Sequence, residues 1–76
     1  MIRYEVAAPG QATLAVYDVR GRRVAVLAEG THARGAHEAR WDGTTSGGRP
    51  AGAGSYWLRL DVPGAAPLVK RIVRVR

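Results

Sequence analysis

Apolar and polar residues alternate at every second position along most of the chain, which is the period of a β-strand with one buried face. Tyr4 and Val6 share a face of the first such segment, and Leu14 and Val16 share a face of the next. Helical periodicity, with apolar residues at intervals of three and four, is almost absent. The pattern therefore predicts a series of short strands and an all-β domain.

Turn-forming residues separate these segments. Asp18 and Gly21 begin and end a predicted hairpin turn, because Asp can accept bonds from the following backbone and Gly can adopt positive φ. The return strand is predicted at residues 23–27, and a polar connection follows at residues 29–35. Residues 44–54 are rich in glycine and predict a long loop.

The second half of the chain predicts two further strands. The clearest alternation runs over residues 56–62, with Trp57 on the face opposite the aliphatic side chains. The last strand is predicted at residues 68–76. Its alternation shifts at Arg71 and Ile72, which predicts a β-bulge there.

Strands of this number and spacing favour an antiparallel β-sandwich or a small barrel of about six or seven strands. Two sheets packed about 10 Å apart fit the chain length. Trp41 is the largest side chain at an inward position and is expected at the centre of the core. The predicted inward residues are Tyr4, Val6, Leu14, Val16, Val24, Trp41, Tyr56, Leu58, Leu60 and Val73.

The chain of 76 residues has room for a single domain, predicted to span residues 1–76. It contains no cysteine, so its stability relies on packing or on neighbouring domains. The segment after Met1 lacks the apolar run of a signal peptide, and no run approaches the roughly 18 residues of a membrane span. If the protein is exported, its export signal lies outside this sequence, and we then expect this chain to be the C-terminal module of a longer protein.

The net charge of +6 arises from 12 basic and 6 acidic residues and favours anionic partners of any kind. Eleven of the basic residues are Arg, a bias that the coding of a GC-rich genome also produces. Charges on a last strand can also serve only to oppose aggregation between sheet edges. The candidate interaction residues are Trp57, Lys70, Arg71, Arg74 and Arg76.

An anionic surface polymer and a nucleic acid are both partners of the required charge. Small β-domains bind single strands through basic grooves with stacking aromatic side chains, and Trp57 could stack in this way. The aromatic residues do not interleave with the basic clusters along the sequence, however. Nucleic-acid or other polyanion binding is therefore kept as the alternative function, with nucleic acid the less favoured ligand.

Residues able to carry catalysis are few and unmatched. Neither Ser46 nor Ser55 lies in a nucleophile elbow, and a domain of this size lacks room for a sizeable pocket beside its core. His32 is expected to be solvated in a loop, and His37 to be half covered at a strand end. Two histidines without cysteine also fall short of the roughly four ligands of a zinc site. The sequence thus predicts a protein that is no enzyme and needs no cofactor or metal.

Residues 42–47 carry oxygen-bearing side chains at a spacing similar to the start of a calcium loop. The twelfth position of such a loop would be Ala53 instead of Glu, which argues against calcium. Asp42 is expected instead to cap its turn by accepting backbone N–H bonds. The predicted structural residues are Asp18, Gly21, Trp41, Asp42, Gly43 and Tyr56.

Five sequence blocks, in this order, resemble the small Ig-like domain of the flagellar hook-capping protein and its relative, the C-terminal sorting domain of type IX secretion cargo. The blocks are IRYEV, TLAVYDVRGRRVAVL, GAHEARWDG, AGAGSYWLRL and VKRIVRVR. They cover nearly the whole chain, and their common order and spacing are more specific than any one block.

The resemblance implies a seven-stranded Ig-like antiparallel β-sandwich at the C-terminus of a long bacterial protein that is secreted or held at the cell surface. In such proteins the domain is recognised by the secretion apparatus or helps attachment to the surface. In the hook-capping relative it is part of an assembly scaffold. Expected partners are therefore secretion or surface-attachment machinery, or neighbouring domains of the same protein, and none of these roles is catalytic.

The chain departs from the family pattern at three positions. Thr45 stands where an acidic residue is common, and Ser55 stands where the family tends to have Val. Arg74 replaces an aliphatic residue that is usual in the last strand. If an export machine reads the last strand, Arg74 implies altered or lost recognition.

Overall fold

The computed structural model describes residues 2–75, and every regular element among them is a β-strand. The strands are β1 (Ile2–Val6), β2 (Gly10–Tyr17), β3 (Arg23–His32), β4 (Gly35–Ala39), β5 (Gly54–Asp61) and β6 (Leu68–Arg74). The prediction of an all-β domain is confirmed. The six strands agree with the six or seven that the pattern predicts, and the resemblance implied seven. Residues 40–53 form the predicted long loop, which contains an isolated bridge between Thr44 and Pro50.

The strands form two antiparallel sheets, consistent with an Ig-like β-sandwich. β1 and β4 make a two-stranded sheet, and the other sheet has four strands in the order β3-β2-β5-β6. All strand pairs are antiparallel. Ile2 and Tyr4 of β1 and Ala39 of β4 pack onto the buried side chains of the larger sheet.

The core is centred on β2 and β5, the two inner strands of the larger sheet. Leu14 lies opposite Leu60, and Val16 lies opposite Leu58, so these four side chains share the face that β1 and β4 cover. Val16 is fully buried. The period of two correctly predicts this face, because both strands run through the centre of the sheet without a break between them.

The last strand is oriented differently from the prediction. Val73 was expected to point inward, but it is 62% exposed, and Ile72 is the half-buried neighbour of Tyr56. No bulge occurs at Arg71 and Ile72, since the register between β5 and β6 is continuous. The apolar residues of β6 therefore lie on both of its faces. For this reason the alternation assigned Val73 to the wrong face.

Bulges occur instead between β2 and β3. The register shifts twice, and the residues left without a partner are Leu27 and Val24. Both pack against the core, so each irregularity adds an apolar side chain to the inner face. β3 also continues to His32, so the polar connection predicted at residues 29–35 is wrong over its first half.

Trp41 lies at one end of the core and not at its centre, because β4 ends at Ala39 and Trp41 follows it in the loop. Its ring meets Tyr56 edge-on, with centroids 5.1 Å apart, and its Nε1–H donates to the Thr44 carbonyl over 2.9 Å. The guanidinium of Arg74 lies over the indole at 5.8 Å. Arg74 thus covers part of Trp41.

Asp18, Gly21, Asp42 and Gly43 adopt the predicted turn geometry. The Asp18 carboxylate accepts the backbone N–H groups of Arg20 and Arg22, both over 2.9 Å, and Gly21 has a φ of 80°. Asp42 accepts the backbone N–H of Thr44 over 2.9 Å, as a turn cap does. Gly43 is buried with a φ of 84°, and a Cβ there would overlap the Arg74 guanidinium.

Candidate functional site

The face of the four-stranded sheet that points away from β1 and β4 carries two half-buried aromatic side chains, Tyr17 and Trp57, and we call it the outer face. Tyr17, Trp57 and Arg71 lie side by side across β2, β5 and β6. Arg59 also belongs to this face, with its guanidinium 5.8 Å from the Tyr17 ring. The outer face thus groups two aromatic side chains with two arginines, an arrangement that the linear sequence does not reveal.

Exposed aliphatic side chains flank this row. Val69 and Val73 of β6 are 58% and 62% exposed. Trp57 is half-buried and lines a shallow depression of about 330 Å³ together with Tyr17 and Val69. A row of apolar groups that a strand holds open to solvent is typical of a surface that binds another protein.

Arg71 is held in place within the outer face. Its Nη2–H donates to the Ser55 hydroxyl over 3.1 Å, across the β5–β6 pair. The Ser55 hydroxyl gives this guanidinium an anchor that an aliphatic side chain could not. A fixed arginine beside Trp57 loses less conformational freedom on binding than a mobile one.

The structure divides the predicted basic cluster between two faces. Trp57 and Arg71 lie on the outer face, whereas Lys70 and Arg74 point to the inner side because successive residues of a strand alternate. Arg74 is directed at Trp41, and its Nε–H donates to the Ala51 carbonyl over 3.3 Å. Arg76 lies outside the described residues. The candidate residues therefore do not form one surface.

A cluster of Tyr4, His32 and His37 joins β1, β3 and β4 at the other end of the molecule. The Tyr4 oxygen lies 2.8 Å from His32 Nε2, and His32 Nδ1 lies 2.9 Å from the Gly30 carbonyl oxygen. A carbonyl only accepts, so Nδ1 carries the proton and, in the neutral ring, Nε2 accepts from the Tyr4 hydroxyl. His32 is thus half-buried in a strand, and the expectation of a solvated loop residue is wrong.

The two histidine rings are 4.9 Å apart, and His37 donates from Nε2 to the Ala33 carbonyl over 2.7 Å. Burial raises the pKa of Tyr4 above its ordinary value. Sequence reasoning missed this cluster, because the three residues come together only through the β1–β4 register and the extension of β3. Its bonds tie strands together, and among residues 2–75 no group of three or more His, Asp or Glu is placed to hold a metal ion.

The hydroxyls considered for catalysis have structural partners. The Ser46 hydroxyl donates to the Val24 carbonyl over 3.3 Å, and Ser55 accepts from Arg71. His32 is hydrogen-bonded to Tyr4 and His37 to the Ala33 carbonyl, so these bonds do not connect either histidine to Ser46 or Ser55.

Two turn carboxylates have shifted acidities. The pKa of Asp18 lies below its ordinary value, mainly because the carboxylate accepts the backbone N–H of Arg22. Hydrogen bonds from the backbone N–H of Arg20 and from the Arg22 side chain add to this effect. Bonds from the hydroxyl and backbone N–H of Thr44 lower the pKa of Asp42, and the charge of Arg74 adds to this. Both carboxylates are therefore negatively charged at neutral pH, and both act within their own turns.

Comparison with known proteins gives one family. A family model described as the FlgD Ig-like domain matches residues 2–63, which include β1 to β5 and end before β6. No curated protein and no solved structure matches the chain. The part of the chain that the structure describes contains no helix long and apolar enough to cross a membrane.

Proposed function

Because the chain belongs to the family of FlgD Ig-like domains, we propose that it is a non-catalytic interaction module that docks onto a partner protein through its outer face. The family is structural and not enzymatic. The observation that carries the proposal is the row of Tyr17, Trp57 and Arg71, flanked by exposed valines. Aromatic residues and arginine are the side chains most enriched at protein interfaces.

The finer role that fits this module is to connect a larger exported protein to secretion or surface-attachment machinery, or to neighbouring domains of an assembly. A type IX-like sorting function is the specific form that we propose. The parent protein would then be secreted or held at the cell surface. In each of these roles the module needs a rigid face and no reaction chemistry, and a sandwich with a bonded Arg71 supplies such a face.

A reporter fusion tests the sorting function. The domain, fused to the C-terminus of a periplasmic reporter in a host with type IX machinery, is expected to move the reporter to the cell surface or the medium. The measurement is the fraction of reporter activity outside the periplasm. The same reporter without the domain is the control, and equal periplasmic retention of both would contradict the sorting function.

Polyanion binding is the second candidate function, and the outer face gives it a specific basis. Trp57 lies between Tyr17 and Arg71, so aromatic and cationic groups are neighbours in space although they are separated in the sequence. Stacking surfaces with adjacent arginines bind single-stranded nucleic acids and other anionic polymers. The net charge of +6 would add long-range attraction.

Titration with labelled single-stranded DNA and with a sulfated glycan, each at several salt concentrations, tests this alternative. Stacking on Trp57 predicts that DNA binds more tightly than the glycan and that Trp57→Ala removes the difference. Binding should weaken steeply as salt rises, since phosphate contacts release counterions. Equal affinities for both polymers would indicate attraction by charge alone, and absence of binding at low salt would exclude the function.

A further inference from the structure

The two sheets of the sandwich do not cover each other completely. β1 and β4 lie over β2, β3 and part of β5, where Leu58 and Leu60 are buried. The inner face of β6 lies beyond this cover, so Leu68 is 66% exposed although its partner Leu60 is buried. A third strand beside β1 would complete the smaller sheet above β6.

A groove of about 350 Å³ occupies the place of that strand. We call it the β1–β6 groove; its lining includes Ile2, Arg3, Tyr4 and Glu5 from β1, Leu60 from β5, and Leu68, Lys70 and Ile72 from β6. Among residues 2–75, β1 pairs with β4 alone, so its other edge is free beside the groove. A free edge next to an apolar groove is the arrangement by which extended peptides add a strand to a sheet.

The floor of the groove specifies what such a peptide must carry. Leu68, Lys70 and Ile72 follow one another at alternate positions on the inner face of β6. Lys70 is exposed and makes no salt bridge within the described part of the chain. A strand lying about 10 Å above β6 would direct every second side chain onto this row.

We propose that the β1–β6 groove binds an extended segment of another polypeptide with an apolar–x–acidic–x–apolar pattern. The segment pairs with the free edge of β1, and its acidic side chain meets Lys70 between two apolar contacts on Leu68 and Ile72. The pattern reads the same in both directions, so it fits a parallel or an antiparallel strand. The groove and the outer face lie on opposite sides of the larger sheet, and Val69 of β6 borders both.

The occupant is another protein and not a second copy of this chain. The six acidic residues are Glu5, Asp18, Glu29, Glu38, Asp42 and Asp61. None of them has bulky apolar residues two positions away on both sides, so this sequence does not contain the required pattern. Two copies that each carry a net charge of +6 would also repel one another, whereas an acidic segment is attracted.

Peptide binding tests the proposal. The probe is a fluorescently labelled Thr-Val-Thr-Glu-Thr-Val-Thr peptide, as long as the 7 residues of β6, and the comparison peptide has Lys in place of Glu. Fluorescence anisotropy at one fixed salt concentration should show about tenfold tighter binding of the Glu peptide. Backbone amide signals of Ile2–Val6 should shift in NMR spectra as the peptide binds. Equal affinities, or shifts confined to other strands, would overturn the proposal.

Two charge reversals separate the groove from general charge attraction. Lys70→Glu should reverse the preference, so that the Lys peptide binds more tightly. Arg34→Glu changes the net charge equally on an exposed residue between β3 and β4, outside the groove, and should preserve the preference. Equal effects of the two variants would overturn the groove assignment. If circular dichroism shows Lys70→Glu unfolded, Lys70→Met replaces it, and it must weaken the preference for the Glu peptide.

Discussion

Beyond the end of β4, the core is covered by single side chains and not by a strand. β4 ends at Ala39, and Trp41 lies beyond it against Tyr56 and under the guanidinium of Arg74. Tyr56 is fixed in turn, because its hydroxyl donates to the Gly52 carbonyl over 2.7 Å. Arg74 therefore has a packing role at Trp41, which makes it a poor candidate for a mobile contact with a partner.

The Asp18 turn predicts an acid-dependent loss of stability. Its pKa is lower in the folded state than in the unfolded chain, mainly because it accepts the backbone N–H of Arg22. The stabilisation is then complete above the unfolded pKa of about 3.9 and is lost as the pH falls through the lower folded value. Asp18→Asn should lower the midpoint of thermal unfolding at about pH 6 and should reduce its fall on acidification.

The measurement is thermal unfolding followed by circular dichroism between about pH 5 and about pH 2.5. Glu38→Gln is the control. Glu38 is exposed on β4, so this substitution removes the same charge without disturbing a turn. The control should follow the wild-type curve. An Asp18→Asn variant whose midpoint falls with pH as steeply as the wild type would show that this carboxylate does not contribute.

At the level of the strands, the alternation of apolar and polar residues correctly predicted the buried face of those strands that are covered on one face only. β2 and β5 follow it closely, because Leu14, Val16, Leu58 and Leu60 all meet the same core. β6 does not, since its apolar residues lie on both faces and its edge has no cover. A sequence window cannot distinguish an exposed Val73 from a half-buried Ile72 when the covering strand is missing.

The candidate surface could be predicted only in part for a similar reason. Trp57 and Arg71 were found from their residue types, and the structure places them side by side. Tyr17 and Arg59 complete the outer face, but their contribution depends on the register between β2 and β5, which no local pattern fixes. The inward position of Leu27 is likewise set by pairing between strands, whereas Val24 was predicted inward and packs against the core.

At the scale of the whole molecule, the two faces of the four-stranded sheet have different surroundings. One face supports the core and carries a two-stranded cover, and the other presents aromatic and basic groups to solvent. With 76 residues and no cysteine, such a domain has a small core. Docking onto a larger protein, by the outer face or by the β1–β6 groove, would add stability through binding.

The reporter assay with variants of the outer face tests most directly whether this face performs the proposed docking. Arg71→Glu reverses the charge beside Trp57, and Arg34→Glu makes the same change on an exposed residue between β3 and β4. Both variants should fold, which circular dichroism checks. The reporter carrying Arg71→Glu should remain in the periplasm, while Arg34→Glu leaves it at the surface or in the medium as the wild type does. Export of the Arg71→Glu fusion at the wild-type level would contradict docking through the outer face.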